Sequence, residues 1–461
     1  MNPAKRQNII ILLSDQLRRD ALGIYGDSNI STPNIDSLAR RGVKFTNACS
    51  TYPVCVPFRF TLQTGQFAHT RSVPSLEWRM SPSERTMADE FNKAGYETIY
   101  IGKWHLHGHG VRPEHGVNSA LKANRTCITR EFQGRWQKWL AFELRNDPFD
   151  TCYFIDDDPI PHQINKYQTD GLYDLAMEFI ANGRDKNRPF VCILSTEAPH
   201  PPFISPKDLQ NKWNKKEITL PPNFVDKTGE RYEEFKAGRR QYYAMVENLD
   251  NNVGRMSSFL KNNDLSDNTI IVFLSDHGEL GGSHGLMSKQ YPYEESIGIP
   301  LIVVDPSIPG RSGAIITEPL AAEDLFPTIL GLANIVPETN VPGLNASPLI
   351  RGQKNKFDRE GILLEFVAEM RSQFPFYEET WRGFRTKRYK YTVLGGFDGG
   401  RPWQFFDLES DPYELNNLID NIEVAETVRS HHYLLRQALI KTSDSYVLQP
   451  AFGFDGLNLW R

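Results

Sequence analysis

Residues 8–16 read NIIILLSDQ and residues 269–278 read TIIVFLSDHG. In each, a short run is apolar at odd and even positions alike and then meets a carboxylate, Asp15 or Asp276. A strand that is apolar on both faces must be covered on both, as in a parallel sheet sandwiched between helices. Similar runs occur at 96–101 (YETIYI), 189–194 (PFVCIL) and 300–304 (PLIVV). Helical patterns at 33–41, 86–93, 168–180, 230–260 and 322–332 separate them. The first is bracketed by Thr32 and Pro33 at its start and Gly42 at its stop. The alternation predicts an α/β fold with a large central mixed, mostly parallel sheet flanked by helices. Beyond Gly352 the texture changes. Short strand patterns at 361–366, 381–386, 389–394 and 404–408, then a helix at 423–441, predict a smaller α+β domain with an antiparallel sheet. The division is expected as 1–352 and 353–461, with the linker near 349–358.

The rest of the composition fits that outline. Of 461 residues, 39% are hydrophobic and 24% charged, which excludes wholesale disorder, collagen and coiled coil. Lys and Arg number 52 against 57 Asp and Glu, and a chain without basic excess is a poor general nucleic-acid binder. No apolar run approaches the roughly 20 residues that span a bilayer. The opening residues lack the longer apolar core and small-residue cleavage site of a signal peptide, so the chain reads as cytosolic or as lacking its export signal. Five cysteines without a CxxC pair are neither a disulfide scaffold nor a zinc site. Cys192 reads as a core thiol, whereas Cys127 and Cys152 can pair if the protein is exported. Cys55 is different, since it stands between Pro53 and Pro57.

In open α/β sheets, ligands bind at the carboxyl ends of strands. There Asp15, Gln16 and Asp276 offer hard oxygen and His277 offers nitrogen. A mostly oxygen set favours calcium, magnesium or manganese over zinc. Pro57 suits the first turn of a helix, which puts Cys55 just before free backbone N–H groups and a positive dipole end. That is an anion site with a nucleophile at its mouth, and Arg59 lies one turn on. Lys103 and His105 share a face of extended chain after the strand at 96–101. His200 is set among prolines, and Lys289 precedes the strand at 300–304. Such cations beside a metal suit a tetrahedral oxyanion ester, with histidines to manage protons. The phosphate-binding signature GxxxxGK[ST] is absent.

These residues resemble the formylglycine-dependent type I sulfatases of the alkaline phosphatase superfamily over nearly the full length. The modification motif CxPxR reads Cys55-Val56-Pro57-Phe58-Arg59, followed by Thr64-Gly65. GKWH is 102–105, DHGE is 276–279, and SHG…K…YEES is 283–285, Lys289 and 293–296. TKRYKY…FFDLESDPYELNNL is similar to the family's small domain. The resemblance implies an alkaline phosphatase-like fold and a sulfuric ester hydrolase acting on a sulfated carbohydrate. It implies that a maturation enzyme converts Cys55 to Cα-formylglycine, whose hydrate attacks sulfur. Asp15, Gln16, residue 55, Asp276 and His277 would then hold calcium, Arg59 and Lys103 the sulfate. His200 would protonate the leaving alcohol beside Lys289, and His105 would take the proton that releases sulfate. It also implies a periplasmic or secreted enzyme with no nucleic-acid or membrane partner.

Three departures bear on those roles. Gln16 replaces a second Asp, and His277 stands where Asn is frequent. Both variants also resemble phosphonate and phosphodiester hydrolases and leave manganese or zinc open. Phe58 replaces Ser in the maturation motif. A carbohydrate-binding protein with unmodified Cys55 is a third reading. Expected sugar contacts are His107 and Arg382, with Trp78, Arg79, His109, Arg112, His115, Arg130 and Trp136 as further candidates.

Overall fold

The apolar runs become the middle of one ten-stranded sheet in the computed structural model, which describes residues 6–76, 78–108, 126–145, 147–225, 230–396 and 399–448. Its strands are β1 (Asn8–Asp15), β2 (Val43–Phe45), β3 (Glu97–Lys103), β4 (Lys138–Phe142), β5 (Thr151–Ile155), β6 (His162–Ile164), β7 (Phe190–Pro199), β8 (Thr269–Ser275), β9 (Leu301–Val304) and β10 (Ala314–Ile316). The order is β10-β2-β9-β8-β1-β7-β3-β4-β5-β6. The central five, β8-β1-β7-β3-β4, are mutually parallel, while β9, β5 and β6 run against their neighbours. The expected mixed, mostly parallel sheet is therefore present.

Alternation along each central strand splits its side chains between two layers. Ile9, Ile11 and Leu13 of β1, with Val272 and Leu274 of β8, pack under the helices Cys55–Thr64, Met87–Lys93 and Ala322–Leu332. Ile10 and Leu12, with Phe273, face the helices Pro33–Arg41, Gln168–Glu178 and Glu230–Asn262. Burying each such side chain contributes roughly 1.5–3 kcal/mol, so both helical layers are held on by the strands they cover.

Parallel strands end at one edge. Asp15, Lys103, Pro199 and Ser275 close β1, β3, β7 and β8, and the chemistry-bearing segments leave from those ends. Close approach at this edge depends on Gly102. Its φ is +95°, and a Cβ there would lie 2.0 Å from the Ser195 carbonyl oxygen on β7.

A second sheet, β11 (Gly361–Phe366), β12 (Thr380–Thr386), β13 (Tyr389–Gly395) and β14 (Arg401–Asp407), is antiparallel and ordered by sequence. Its residues Leu363, Phe384, Val393 and Phe405 meet Val428, Leu435 and Leu439 of the helix Ala425–Thr442. The alternate residues Ile362, Leu364, Phe366 and Trp381 join the main core. The sheets are thus separate while the core under them is shared. The expected linker near 349–358 begins inside a short helix, Ser347–Ile350. No disulfide joins Cys127 to Cys152.

Candidate active site

Cys55 is the first residue of the helix Cys55–Thr64, with Val54 at the N-cap; the sequence reading had placed it one position outside. Phe58 donates its N–H to the Val54 carbonyl, and no side chain caps the turn. The first-turn N–H groups therefore supply positive potential beside residue 55. Gly65 ends the helix in the left-handed region, returning its N–H to the Thr61 carbonyl.

Around the Cys55 Sγ, His277 Nε2 and Lys289 Nζ each lie at 3.2 Å and Asp15 Oδ1 at 3.5 Å. Asp15, Cys55, Asp276 and His277 each present one ligand atom within 4.8 Å of all the others, and all four are buried. His277 Nδ1 donates to the Gly278 carbonyl (3.0 Å). A carbonyl only accepts, so the Nε2 lone pair is left facing the carboxylates, at 3.5 Å from Asp276 and 3.7 Å from Asp15. Asp276 Oδ2 lies 3.3 Å from Arg59 yet accepts no hydrogen bond among the described residues. Two buried carboxylates, a neutral imidazole lone pair and an unsatisfied oxygen fit a divalent cation. Gln16 is held differently. Its Oε1 accepts from Lys289 (2.7 Å) and its Nε2 donates to Glu279, so the amide bridges the lysine and that carboxylate.

The cations are fixed by neighbours that sequence reasoning did not single out. Arg59 donates to Ser195 Oγ at 2.8 Å, the Lys103 carbonyl at 3.0 Å and Asp15 at 3.1 Å. Lys103 Nζ, fully buried, lies 2.6 Å from Asp15 and 3.9 Å from Glu197. Ser195 and Glu197 sit two apart at the end of β7, and that spacing beyond an apolar run was their available signal. Glu143 accepts the His107 N–H (2.9 Å), and burial pushes its carboxyl up to about 7.

Electrostatics follow from this crowding. Burial alone would raise Asp15, but the charges of Lys103, Arg59 and Lys289 outweigh it and hold its carboxyl well below the usual range. Asp276 goes the other way, raised by burial and by the Asp15 charge. Burial and the Asp15 charge push the Cys55 thiol up to about 11. His105 is held well below its ordinary value by burial and Lys103, His200 by burial and Lys289, so both rest neutral. His200 Nδ1 donates to the Pro201 carbonyl (2.6 Å), leaving Nε2 as the nitrogen that can exchange a proton. Gln16, His105, Ser288 and Gln290 all have positive φ, which concentrates backbone strain around this centre.

Comparison with known proteins identifies the family. The Sulfatase family profile matches residues 7–335, and that of N-sulphoglucosamine sulphohydrolase, C-terminal, matches residues 282–441. The chain belongs to the sulfatase family. An ulvan-active sulfatase of Formosa agariphila is 32% identical over 447 residues, which is 96% of this chain and 82% of that one. An arylsulfatase of Clostridium perfringens is 29% identical, covering 95% and 94%. The crystal structure of the sulfatase-family protein yidJ from Bacteroides fragilis superposes with a TM-score of 0.83 at 29% identity, over 96% and 98% of the two chains. This sulfatase is thus a sulfuric ester hydrolase, and its family implies a formylglycine and a divalent metal.

The expected rim residues fare unevenly. Arg382 is buried, and its guanidinium donates to Asp444 (2.5 and 3.1 Å) and to the Phe366 carbonyl (2.7 Å). Its strand turns it inward, toward a cluster with His69 and Glu365. Trp136 is fully buried with Nε1 donating to Gln63 Oε1 (3.1 Å). His107 is buried edge-on to Phe132, and its carbonyl accepts from Arg79 (2.7 Å). Trp78 packs edge-on to Phe60, and Arg130 is exposed, donating to Gln133. His109, Arg112 and His115 lie outside the described residues. Among the described residues, no helix is long and apolar enough to cross a membrane.

Proposed function

We propose that this sulfatase removes sulfate from a sulfated carbohydrate, using residue 55 after its oxidation by a formylglycine-generating maturation enzyme. The observation that carries the reading is the position of Cys55. It opens a buried helix within 3.5 Å of a metal-competent carboxylate, a neutral histidine and a lysine. The ulvan-active relative and an N-acetylglucosamine-6-O-sulfatase relative support a sugar substrate.

Asp15, Asp276 and His277, with residue 55 and the Gln16 amide oxygen at the margin, would hold the metal. The oxygen-rich set supports calcium. Bound there, the aldehyde hydrate of residue 55 supplies the nucleophile and the cation lowers the cost of its negative charge. Everything else falls to the chain's own side chains. Arg59, locked by Ser195 and the Lys103 carbonyl, and Lys103, locked on Asp15, offer fixed positive charge to nonbridging sulfate oxygens without reorganising. Lys289 bears on residue 55 and the bridging oxygen. His200 gives its proton to the departing alcohol, since an arriving sulfate anion restores the basicity that burial and Lys289 remove. His105, pressed the same way by Lys103, accepts the proton whose loss frees sulfate.

The test is release of sulfate, phosphate and phosphonate from matched aryl esters by matured protein, followed by a panel of sulfated mono- and oligosaccharides. Faster sulfate release, and turnover of a sulfated sugar, are expected. Faster turnover of phosphonate diesters would overturn the reading in favour of a phosphonate hydrolase. Intact-mass analysis showing unmodified Cys55 from a competent host would overturn it in favour of a binding protein.

A further inference from the structure

Beside the catalytic centre lies a cavity of about 440 Å³ whose walls include Phe203, Phe235, Arg239, Tyr242, Glu279 and Met287. That volume is in the usual range for small-molecule sites. Two loops that carry proposed catalytic groups form part of it: Phe203 follows His200 by three residues, and Met287 precedes Lys289 by two. The bonding path between cavity and nucleophile is short. Glu279 accepts from the Gln16 amide, Gln16 accepts from Lys289 (2.7 Å), and Lys289 lies 3.2 Å from Cys55 Sγ.

Arg239 is the unusual wall. It projects from the helix Glu230–Asn262 and is only 6% exposed, yet its Nε and NH1 have no hydrogen-bond partner among the described residues. A buried guanidinium with unspent donors carries a desolvation cost that a bound anion would offset. Its Cζ lies 5.8 and 5.2 Å from the ring centroids of Tyr242 and Tyr243. The space before NH1 is kept open by Gly281, where a Cβ would come within 2.8 Å of that nitrogen. Glu279 does not compete, because its oxygens accept from the Gly281 and Ser288 N–H groups and from Gln16. The remaining carboxylate of the wall, Glu234, is exposed. Phe203, Phe235 and Met287 supply apolar surface of the kind that stacks on a sugar ring.

We propose that this cavity is a substrate subsite in which Arg239 grips a second anionic group of the carbohydrate, a carboxylate or a second sulfate, adjacent to the sulfate being removed. The inference rests on the sulfated-carbohydrate reading above. It makes Arg239 a specificity residue that contacts substrate away from the reacting atoms.

The test compares three sulfated disaccharides with matured wild type, Arg239→Gln and Arg239→Lys. One carries a uronic acid beside the sulfated sugar, one its methyl ester, and one a second sulfate in the carboxylate's place. 4-Nitrophenyl sulfate serves as the single-anion reference. A charged hydrogen bond corresponds to about a 10–100-fold preference in kcat/KM for an acidic disaccharide over the ester. Arg239→Gln should reduce that preference to within about 3-fold, acting on KM more than kcat, and Arg239→Lys should restore part of it. The arm that shows the preference identifies the anion. Two results would overturn the inference: wild type that treats the three disaccharides alike, or an Arg239→Gln defect that is equal on all substrates including the aryl sulfate. Wild type that releases no sulfate from any of the four would instead sink the sulfatase reading itself.

Discussion

Replacing Lys103 by Met probes how the centre is held together. Lys103 Nζ is fully buried 2.6 Å from Asp15 Oδ2, and Asp15 is itself fully buried. Arg59 is the other cation that bonds this carboxylate directly, and it divides its donors among Ser195, the Lys103 carbonyl and Asp15. Methionine nearly conserves the volume, so the main loss is charge. Removing one partner of a buried pair costs about 3–5 kcal/mol, because the other charge stays desolvated. The assay is urea unfolding of chelator-treated protein followed by tryptophan fluorescence, so that metal binding does not enter. Lys103→Met should lose about 3–5 kcal/mol, and adding Asp15→Asn should restore much of the loss, since no uncompensated charge then remains. The cycle's coupling energy should exceed about 2 kcal/mol. Additive single effects would refute the view that Asp15 is held ionised chiefly by Lys103. In activity, the loss of one fixed charge at the sulfate should cost on the order of 10²–10³ in kcat.

Other outcomes follow from the same geometry. His69 donates from Nδ1 to Glu365 and from Nε2 to the Thr442 carbonyl (3.1 Å). Burial opposes its charge, but Glu365 and Asp444 prevail and raise it above its ordinary value. Its contribution is therefore complete below about pH 6.5 and is lost as pH rises through the higher folded value. Unfolding midpoints should fall over that alkaline window in wild type and less steeply in His69→Gln; parallel slopes would count against an ionised His69. Gly102→Ala should cost about 1–3 kcal/mol from its φ of +95° alone, plus the clash with the Ser195 carbonyl. By displacing Ser195 from Arg59 it should also lower kcat on the order of 10²-fold, and wild-type kinetics in a folded variant would show that the strand contact is dispensable. Chelation should abolish sulfate release, with calcium restoring it and binding measurable by calorimetry; restoration by zinc alone would assign a different ion.

Much of the centre was legible because its residues follow apolar runs whose ends a parallel sheet must gather. Asp15, Lys103 and Asp276 are of this kind, and Cys55 was marked by its prolines. What holds those residues was harder to read. Ser195, Glu197 and Glu143 acquire meaning from strands paired across long separations, as when Arg59 reaches Ser195. Arg239 is an ordinary helix arginine until the fold buries it beside a cavity. The burial of Arg382 was hidden for a related reason: on an antiparallel strand its face is set by pairing with β11 and β13, which composition does not reveal. The short strands β2, β4, β5, β6 and β10 escaped because three to five residues show no clear period. In the fold's interior the outline held closely: the helix expected at 322–332 is found there, as is the strand expected at 361–366.

The shared core beneath the two sheets also carries support from the second sheet to the catalytic loop. Trp381 of β12 donates Nε1 to the Gln290 carbonyl (2.9 Å), and Arg385 on the same strand pairs with Glu294 (2.9 Å). Those bonds buttress the loop that carries Lys289. The lysine's place beside Cys55 is thus tied to a strand of the other sheet, far along the sequence.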